Sequence, residues 1–375
     1  MKIDTRILQS PRVKEIYITV QGPAASDPLA AARDTYSRIK EILRQTGGRV
    51  FQERVFAGRH DLDAINHVRR EIYGSLDDGV DPALLVVGNG GYGSFAGVQV
   101  HAVQGPTMPQ PVCLGEKGYG RVLDYGDQCW VSGSAIVGCA GNLAPADQAQ
   151  FMLEQAERLL GAAGGDMRSL ARTWMWLRDI LSWYEGFNHV RTRYFQDKGM
   201  MAATGQCFMP ASTGVGVGST HGTACTMDLI AVIQPPEAVR HLTEIGNQRS
   251  AFDYGSAFSR ASVTDMPAGE TVFISGTADI DSSGRSCHIG DAAGQIAATI
   301  ENVRAVLGDL ACPETGIVQA IAYCKTPEVE SVLRDQWAEL GWPMLIVVAD
   351  ICRDDLLFEM EAAAANGARV VANAL

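Results

Sequence analysis

The chain has 375 residues and a formal net charge of −12, with 46% hydrophobic and 20% charged residues. Its length exceeds the usual size of a single core, so we expect two or three structural units, and its composition excludes a disordered chain. The negative charge argues against nucleic acid as a partner, because nucleic-acid binding depends on Lys and Arg side chains that neutralise phosphates.

The predicted elements recur in a fixed order along the chain. In residues 13–103 the order is strand, helix, strand, helix, strand, strand, with a glycine turn at Gly47 and Gly48 after the first helix. The elements of this first copy are Val13–Val20, Ala30–Gln45, Val50–Phe56, Asp61–Tyr73, Leu84–Val87 and Val98–Val103. Apolar residues alternate in the strands and follow the helical period in the helices, which supports these assignments.

The same order is predicted twice more. The second copy comprises Ser134–Cys139, Ala146–Leu160, Leu170–Leu177, Ser182–Phe195, Gly214–Gly218 and Thr226–Val232. The third copy comprises Val272–Ser275, Gln295–Leu307, Ile317–Cys324, Glu328–Leu340, Met344–Val348 and Leu356–Ala363. A fixed order of elements that recurs is the signature of a repeated unit. We therefore predict an α/β fold of three α+β plaits, with units at residues 1–127, 128–234 and 235–375.

Two stretches outside the repeats are predicted to be connectors. The first, Gly105–Asp127, is rich in proline and glycine, and the second, Pro235–Pro267, joins the second copy to the third. Loops of this length inside a compact chain are often functional, so each connector is also a candidate cover for a site.

The start of the chain and its cysteines favour a cytoplasmic protein. The residues after Met1 lack the apolar core of a signal peptide, and the chain has no apolar run long enough to cross a membrane. Nine cysteines, spread from Cys113 to Cys352 without CxxC pairs, favour reduced thiols over disulfides or zinc. We expect no membrane, no metal and no cofactor.

The last predicted strand, Leu356–Ala363, carries two carboxylates on one face. Alternation places Glu359 and Glu361 together, opposite an apolar face. If helices cover the apolar face, the carboxylates point toward a neighbouring unit. Like charges this close, when partly buried, raise the pKa of at least one carboxyl group and keep an acid protonated near neutral pH. Two interpretations stay open: a general acid, or an exposed strand face with solvated glutamates.

The three predicted closing strands differ at these two positions. When the strands are aligned, Glu359 corresponds to Asp228 and Gln99, and Glu361 corresponds to Ile230 and His101. Because only the third copy has both carboxylates, we expect a single site, at the seam that contains the last strand.

Several sequence blocks resemble known families. Phe273–Asp281 and the helix from Gly294 to Val303 look like the reactive-intermediate deaminase (RidA, YjgF/L-PSP) family, whose members form homotrimers of chorismate-mutase-like plaits with sites at the subunit seams. A closer resemblance is to the chorismatase family. It is carried by RTW at 172–174, YEGFNHVR at 184–191, MPASTGVGVG at 209–218, FSRA at 258–261 and DLLFEME at 355–361. The resemblance implies three YjgF-like units that form an intramolecular pseudotrimer.

The chorismatase resemblance also implies an activity. Members hydrolyse the enolpyruvyl ether of chorismate to pyruvate and a cyclohexadienoate or hydroxybenzoate. Protonation of the vinyl methylene carbon needs an acid that stays neutral until it acts, and Glu359 with Glu361 behind it fits this need. The dicarboxylate substrate needs cations, which Arg260, Arg191 and Lys325 supply at the positions of the family's basic residues.

Further candidates accompany these residues. Ser275, Gly276 and Thr277 offer hydroxyl and backbone donors to a substrate. Tyr184 and Asn188 lie on one face of their predicted helix, a spacing that fits either a substrate contact or a hydrogen bond to the next unit.

Three basic side chains carry two interpretations each. Arg191 is a ligand for the substrate or a partner of surface acids, and Arg172 anchors the packing between units or belongs to the site. His221, after a glycine-rich turn, is a second acid or base or a structural histidine. The segment GNGGYG at 88–93 lacks the GK[ST] ending of a phosphate loop and is predicted to be a turn between strands.

The chain departs from both families. Lys325 stands where related chorismatases usually carry arginine, and a lysine cannot form a bidentate fork to a carboxylate. Residues 254–258 read YGSAF, where the chorismatase pattern has an extra arginine and proline, and Met344 lies near the position of the deaminases' substrate-binding arginine. We predict a monomeric or homodimeric chorismatase-like hydrolase of a small dicarboxylate. The alternatives are a small-carboxylate binding protein without turnover and a deaminase of reactive imines or enamines.

Overall fold

The structure is a computed structural model that describes residues 1–24, 27–137, 143–201, 207–367 and 370–372. The first third of the chain forms β1 (Lys2–Gln9), β2 (Lys14–Gln21), α1 (Pro28–Thr46), β3 (Arg49–Ala57), α2 (Leu62–Tyr73), β4 (Ala83–Val86) and β5 (Phe95–Gln104). The middle third forms β6 (Gln110–Leu114), β7 (Lys117–Asp124), β8 (Cys129–Ile136), α3 (Pro145–Ala162), β9 (Leu170–Leu177), α4 (Tyr184–Asp197), β10 (Ala211–Val215), β11 (Gly218–Ser219) and β12 (Cys225–Gln234). The last third forms β13 (Arg240–Leu242), β14 (Ala261–Met266), β15 (Gly269–Ala278), α5 (Ala292–Asp309), β16 (Ile317–Cys324), α6 (Pro327–Gln336), β17 (Met344–Val348), β18 (Phe358–Ala365) and β19 (Val370–Ala372).

The strands form three mixed sheets of the same design. The sheet orders are β11-β4-β3-β5-β2-β1-β19, β10-β9-β12-β8-β7-β6 and β13-β14-β15-β18-β16-β17. In each sheet an antiparallel hairpin pairs with the closing strand of its unit, and that closing strand pairs with the strand between the two helices. The predicted α/β fold of three plaits in one chain is therefore confirmed.

Each sheet is covered by its own two helices and faces the other two sheets with its second side. The helices α1 and α2, α3 and α4, and α5 and α6 each share an apolar cluster with the sheet of their unit. A fourth cluster combines Phe51, Trp174 and Tyr323, one from the strand between the two helices in each unit. This central core holds the three units together by apolar burial, the dominant favourable contribution to association.

Local sequence explains where the helices begin. Asp27 caps α1, because its Oδ1 accepts the backbone N–H groups of Leu29 at 2.8 Å and Ala30 at 3.0 Å. Thr326 caps α6 through the N–H of Val329 at 3.4 Å. Both helices have proline at their first position, where the missing N–H costs nothing.

The predicted strands and helices are all present, with shifted ends. Three strands, β9, β16 and β17, have the predicted bounds. The last strand begins two residues later than predicted, at Phe358, and residues 138 and 139 of the predicted strand Ser134–Cys139 lie outside the described residues. The segment at 88–93 is a turn between β4 and β5, as predicted.

The interpretation of both connectors as loops was wrong. Residues 105–127 contain the hairpin of β6 and β7, which extends the second sheet, and residues 235–267 contain β13 and β14 at the edge of the third sheet. Together with β1, the strands β7 and β14 complete one hairpin per unit. The second sheet therefore takes its first strand, β7, from residues that were assigned to the first unit. The division into independent domains stays a prediction.

Two further expectations concern the membrane and the cysteines. Among the described residues, no helix combines the length and the apolar character needed to cross a membrane. The described cysteines are free thiols, and Cys129, Cys225, Cys312 and Cys324 are buried.

Candidate active site

A cavity of about 750 Å³ lies at the seam between the second and third units. The helix α4 and the strand β10 form its wall on one side, and β15, β18 and the turn before β18 form the other. This volume falls in the range of small-molecule sites. The predicted site residues that line the cavity are Tyr184, Asn188, Arg191, Arg260, Gly276 and Glu359.

Hydroxyl groups join the two walls below the cavity. The Oγ of Ser275 accepts the backbone N–H of Ser212 at 2.8 Å and donates to the carbonyl of Ser259 at 2.5 Å. Thr277 donates its Oγ1 to the carbonyl of Ser275 at 2.8 Å. Ser275 and Thr277 are buried and do not line the cavity. Ser275 links the two units through Ser212, whereas the bond of Thr277 lies within its own strand.

Gly276 lies in a bulge of β15 that faces Glu359. The pairing of β15 with β18 shifts between Ile274 and Thr277, so Gly276 is the residue next to the carboxyl group. A Cβ atom on Gly276 would come within 2.1 Å of Oε1 of Glu359. Any larger residue at 276 would therefore displace Glu359, which explains the glycine.

Glu359 is the buried acid of the cavity, which is also lined by the exposed Glu185. It lies in β18 opposite Ala278 on one side and Tyr323 on the other, and its side chain is 4% exposed. No described residue forms a hydrogen bond or an ion pair with its carboxyl group. Burial, followed by the negative charge of Glu361, raises the pKa of Glu359 to about 8. The carboxyl group is therefore neutral at pH 7 and has its acidic proton available.

This raised pKa predicts a pH-dependent change in stability. Because the folded pKa is about 8 and the ordinary value is 4.5, the folded protein keeps a proton that the unfolded chain loses as pH rises between these values. Rising pH therefore lowers the free energy of unfolding, by about 3 kcal/mol between pH 4.5 and pH 7. Glu359→Gln cannot ionise, so the variant should gain this amount over wild type across that range in urea denaturation. A stability difference that does not change with pH would contradict a neutral Glu359.

Three arginines surround the same cavity. Arg191, which is buried, donates to Oδ1 of Asn188 at 2.7 Å, and Arg260, also buried, donates its Nε to the carbonyl of Arg249 at 2.8 Å. Arg353 is partly exposed and donates to the carbonyl of Gly284 at 2.7 Å. In the described part of the chain, none of these three arginines forms an ion pair. Unpaired buried guanidinium groups are costly for a fold and mark a site for an anion.

Glu361 and Arg172 lie outside the cavity, at the centre of the three units. The Oε2 of Glu361 accepts Nη2 of Arg172 at 2.8 Å, and its Oε1 accepts Nε1 of Trp174 at 2.6 Å. All three side chains are buried. Arg172 thus joins the second unit to the third, and Glu361 is fixed as an ion pair two residues along the strand from Glu359.

Two other candidates also lie away from the cavity. Lys325 donates its Nζ to the carbonyls of Arg353 at 3.2 Å and Asp354 at 2.9 Å, so it binds backbone. His221 is exposed on the turn before β12. The structure does not bring either side chain to the cavity.

Among the cavity residues that the sequence analysis did not select, Arg353, Cys352 and Tyr254 lie closest to the chemistry of the site. Arg353 and Cys352 come from the turn before β18, and Tyr254 comes from the segment that was predicted to be a connector. The ring of Tyr254 lies 5.5 Å from the guanidinium carbon of Arg260 and 5.4 Å from that of Arg353. A sequence signal existed only for Tyr254, since a long connector next to a site is a candidate cover.

The strand pairings show that the predicted alignment of the three closing strands was wrong by two residues. Glu359 pairs with Tyr323, Asp228 with Trp174 and Gln99 with Arg54, each in the strand between the helices of its unit. Glu361, Ile230 and His101 pair with Ile321, Arg172 and Gln52 in the same three strands. The middle strands β9 and β16 begin with the same shift in register, so Trp174 corresponds to Ile321 and Asp228 corresponds to Glu361. Glu359 corresponds instead to Thr226 and Gly97, and only the third unit has a carboxyl group at that position.

Comparison with known proteins supports the fold. A crystal structure of a chorismatase aligns with this chain at a TM-score of 0.61 and 20% identity, over 96% of this chain and 99% of that one. A putative endoribonuclease from Thermotoga maritima and a YjgF-family protein from Mycobacterium tuberculosis each align over 98% of their length with 34% of this chain, at 19% and 20% identity and TM-scores of 0.28 and 0.26. No protein-family profile matches the sequence, and no curated protein matches it. The chain thus has the fold of a chorismatase, as the sequence resemblance implied.

Proposed function

We propose that this protein is a chorismatase-like hydrolase of the enolpyruvyl ether of chorismate or a close analogue. The observation that carries the proposal is a neutral buried acid, Glu359, in a cavity with three arginines that have no carboxylate partner among the described residues. A dianionic substrate supplies the missing negative charges. The acid supplies the proton that cleavage of an enol ether needs.

The reaction follows from the charge state of Glu359. The carboxyl group donates its proton to the vinyl methylene carbon, which becomes a methyl group and leaves an oxocarbenium ion. Water adds to this cation to give a hemiketal. Collapse of the hemiketal breaks its C–O bond to the ring and passes its O–H proton to the ring oxygen, which releases pyruvate and the ring alcohol. With water, the proton lost by the nucleophile returns to Glu359, so the acid is regenerated and atoms balance.

The two buried arginines suit the binding of the substrate carboxylates. Arg191 and Arg260 enter the cavity from opposite sides of the seam, one from α4 and one from the segment before β14. Each is held by a neutral acceptor, Asn188 or the carbonyl of Arg249, so its charge stays uncompensated. Charge-assisted hydrogen bonds to guanidinium groups fix a carboxylate strongly and with defined orientation.

The test is pyruvate release from chorismate, followed with lactate dehydrogenase and NADH and compared with an enzyme-free solution. We expect turnover with a value of kcat/KM that falls tenfold per pH unit above about pH 8, because the acid form of Glu359 disappears there. Chorismate that stays unchanged over hours would contradict the proposal. Chorismate binding without pyruvate would instead support a small-carboxylate binding protein, and accelerated ammonia release from 2-aminoacrylate would support a deaminase.

A further inference from the structure

The turn before β18 places a third arginine at the cavity. Arg353 lies six residues before Glu359 and lines the same cavity, although it is neither in the FSRA block nor in the helix of Arg191. Its charge acts on Glu359, since it is one of the cations that hold the pKa of that carboxyl group down against burial. Arg353 is thus a cation at the cavity that the sequence analysis did not predict. It is present although positions 325 and 254–258 lack the arginines of the chorismatase pattern.

The backbone of this turn is fixed from several sides. Lys325 donates to the carbonyls of Arg353 and Asp354, and Ser286 donates to Oδ1 of Asp355 at 2.8 Å. Gln295 donates to the carbonyl of Asp355 at 2.9 Å. With these bonds the turn cannot move without the loss of several partners, so the position of the Arg353 side chain is preorganised.

The guanidinium group of Arg353 is held on one edge only. Its Nη1 donates to the carbonyl of Gly284, and its carbon lies 5.4 Å from the ring centre of Tyr254. Since a guanidinium group has five N–H donors, the others stay available on the cavity side. No described carboxylate pairs with this arginine.

We propose that Arg353 binds a carboxylate of the substrate, and that Lys325 is a positioning residue that holds Arg353 in place through the backbone. This inference rests on the proposed function for the identity of the substrate. It explains why a lysine suffices at 325. The side chain there donates to two backbone carbonyl oxygens, and a single ammonium group can do this without the bidentate geometry of an arginine. It also explains how the cavity keeps three cations without an arginine at 254–258.

The test measures chorismate affinity by calorimetry in a Glu359→Gln background, where the ligand is not consumed. Arg353→Met should raise Kd roughly 10- to 100-fold, the loss expected for one charge-assisted hydrogen-bonded pair. Arg353→Lys should give a smaller rise, because it keeps the charge without the fork. Arg240→Met removes an exposed arginine on β13 and is the matched control, with an expected Kd equal to that of the background.

Lys325 gives a second readout. With Glu359 present, Lys325→Met should raise KM roughly 3- to 10-fold with kcat nearly unchanged, and Lys325→Arg should restore KM, since arginine also donates to two carbonyls. An unchanged Kd in Arg353→Met, measured in the Glu359→Gln background, would overturn the inference. A lower kcat with an unchanged KM in Lys325→Met would also overturn it. If wild type releases no pyruvate while Arg353→Met still weakens chorismate binding, the hydrolase proposal fails and the role of Arg353 stands.

Discussion

Replacement of Glu359 by glutamine should lower kcat for pyruvate release by roughly 10²- to 10⁴-fold, the usual contribution of a general acid. Glutamine has nearly the same shape and hydrogen-bonding reach as the protonated glutamate, but it cannot donate an acidic proton. The carboxyl group has no hydrogen-bond partner among the described residues, so the substitution breaks no contact. Turnover should therefore fall while the fold and the affinity for chorismate stay close to those of wild type.

Two measurements keep this prediction specific. Chorismate binding to Glu359→Gln, measured by calorimetry, should stay within a few fold of the wild-type KM, which excludes a collapsed cavity. Glu339→Gln, at an exposed position after α6, changes the same functional group outside the site and should keep full activity. A Glu359→Gln enzyme that retains more than a tenth of the wild-type kcat would show that the proton comes from elsewhere.

The closing strands of the three units differ in how their polar side chains are bound. Asp228, which is equivalent to Glu361 in the second unit, is bound by Nε of Arg54 at 2.9 Å and by the N–H of Ala135 at 2.8 Å. At the seam of the third unit with the first, Gln99 donates to the carbonyl of Ala320 at 2.9 Å, and Tyr92 accepts the N–H of Val348 at 2.7 Å. Asp228 and Glu361 thus each have an arginine partner, whereas Glu359, whose equivalents are Thr226 and Gly97, has none among the described residues.

The difference between the three closing strands has a physical reason. A buried carboxylate with an arginine partner stabilises an interface but has no proton to give, whereas a carboxyl group without a partner stays protonated. At the seam with Glu359, the unpaired acid and the unpaired arginines lower the stability of the fold. Such a cost is the expected mark of a functional site.

The sequence predicted the repeated elements well because each has a strong local pattern. It missed the first strand of every unit for three different local reasons. The strand β7 contains two glycines, which lower strand propensity, and β14 is short with small residues on both faces. The strand β1 alternates weakly, and its exposure pattern mixes polar and apolar positions. All three segments form strands because each pairs with a neighbouring strand, and this pairing leaves no pattern in the local sequence.

The candidate site was predicted in part for a similar reason. Glu359 was accessible to prediction because alternation in one strand reports which face it occupies. Arg353 was not, because its place depends on contacts with Gly284 and Lys325, which are distant in sequence. The interpretation of Lys325 as a ligand followed from the chorismatase resemblance, whereas the partners of its side chain are the carbonyls of the turn before β18.

The second large effect is expected at the centre of the molecule. Arg172→Met removes the only described cation bound to Glu361 and leaves a buried carboxylate with Trp174 as its remaining partner. Breaking one side of a buried ion pair typically costs 3 to 5 kcal/mol, so the free energy of unfolding at pH 7 should fall by about 4 kcal/mol. Because a chain of this size loses stability steeply with temperature, Tm should fall by about 5 °C.

A double variant separates the ion pair from simple loss of packing. Arg172→Met combined with Glu361→Gln leaves no unpaired charge, so most of the lost stability should return. If the double variant is no more stable than Arg172→Met, the arginine acts by packing on Trp174, whose ring centre lies 4.5 Å from its guanidinium carbon. Recovery in the double variant would establish the Arg172–Glu361 pair as the electrostatic link between the second and third units.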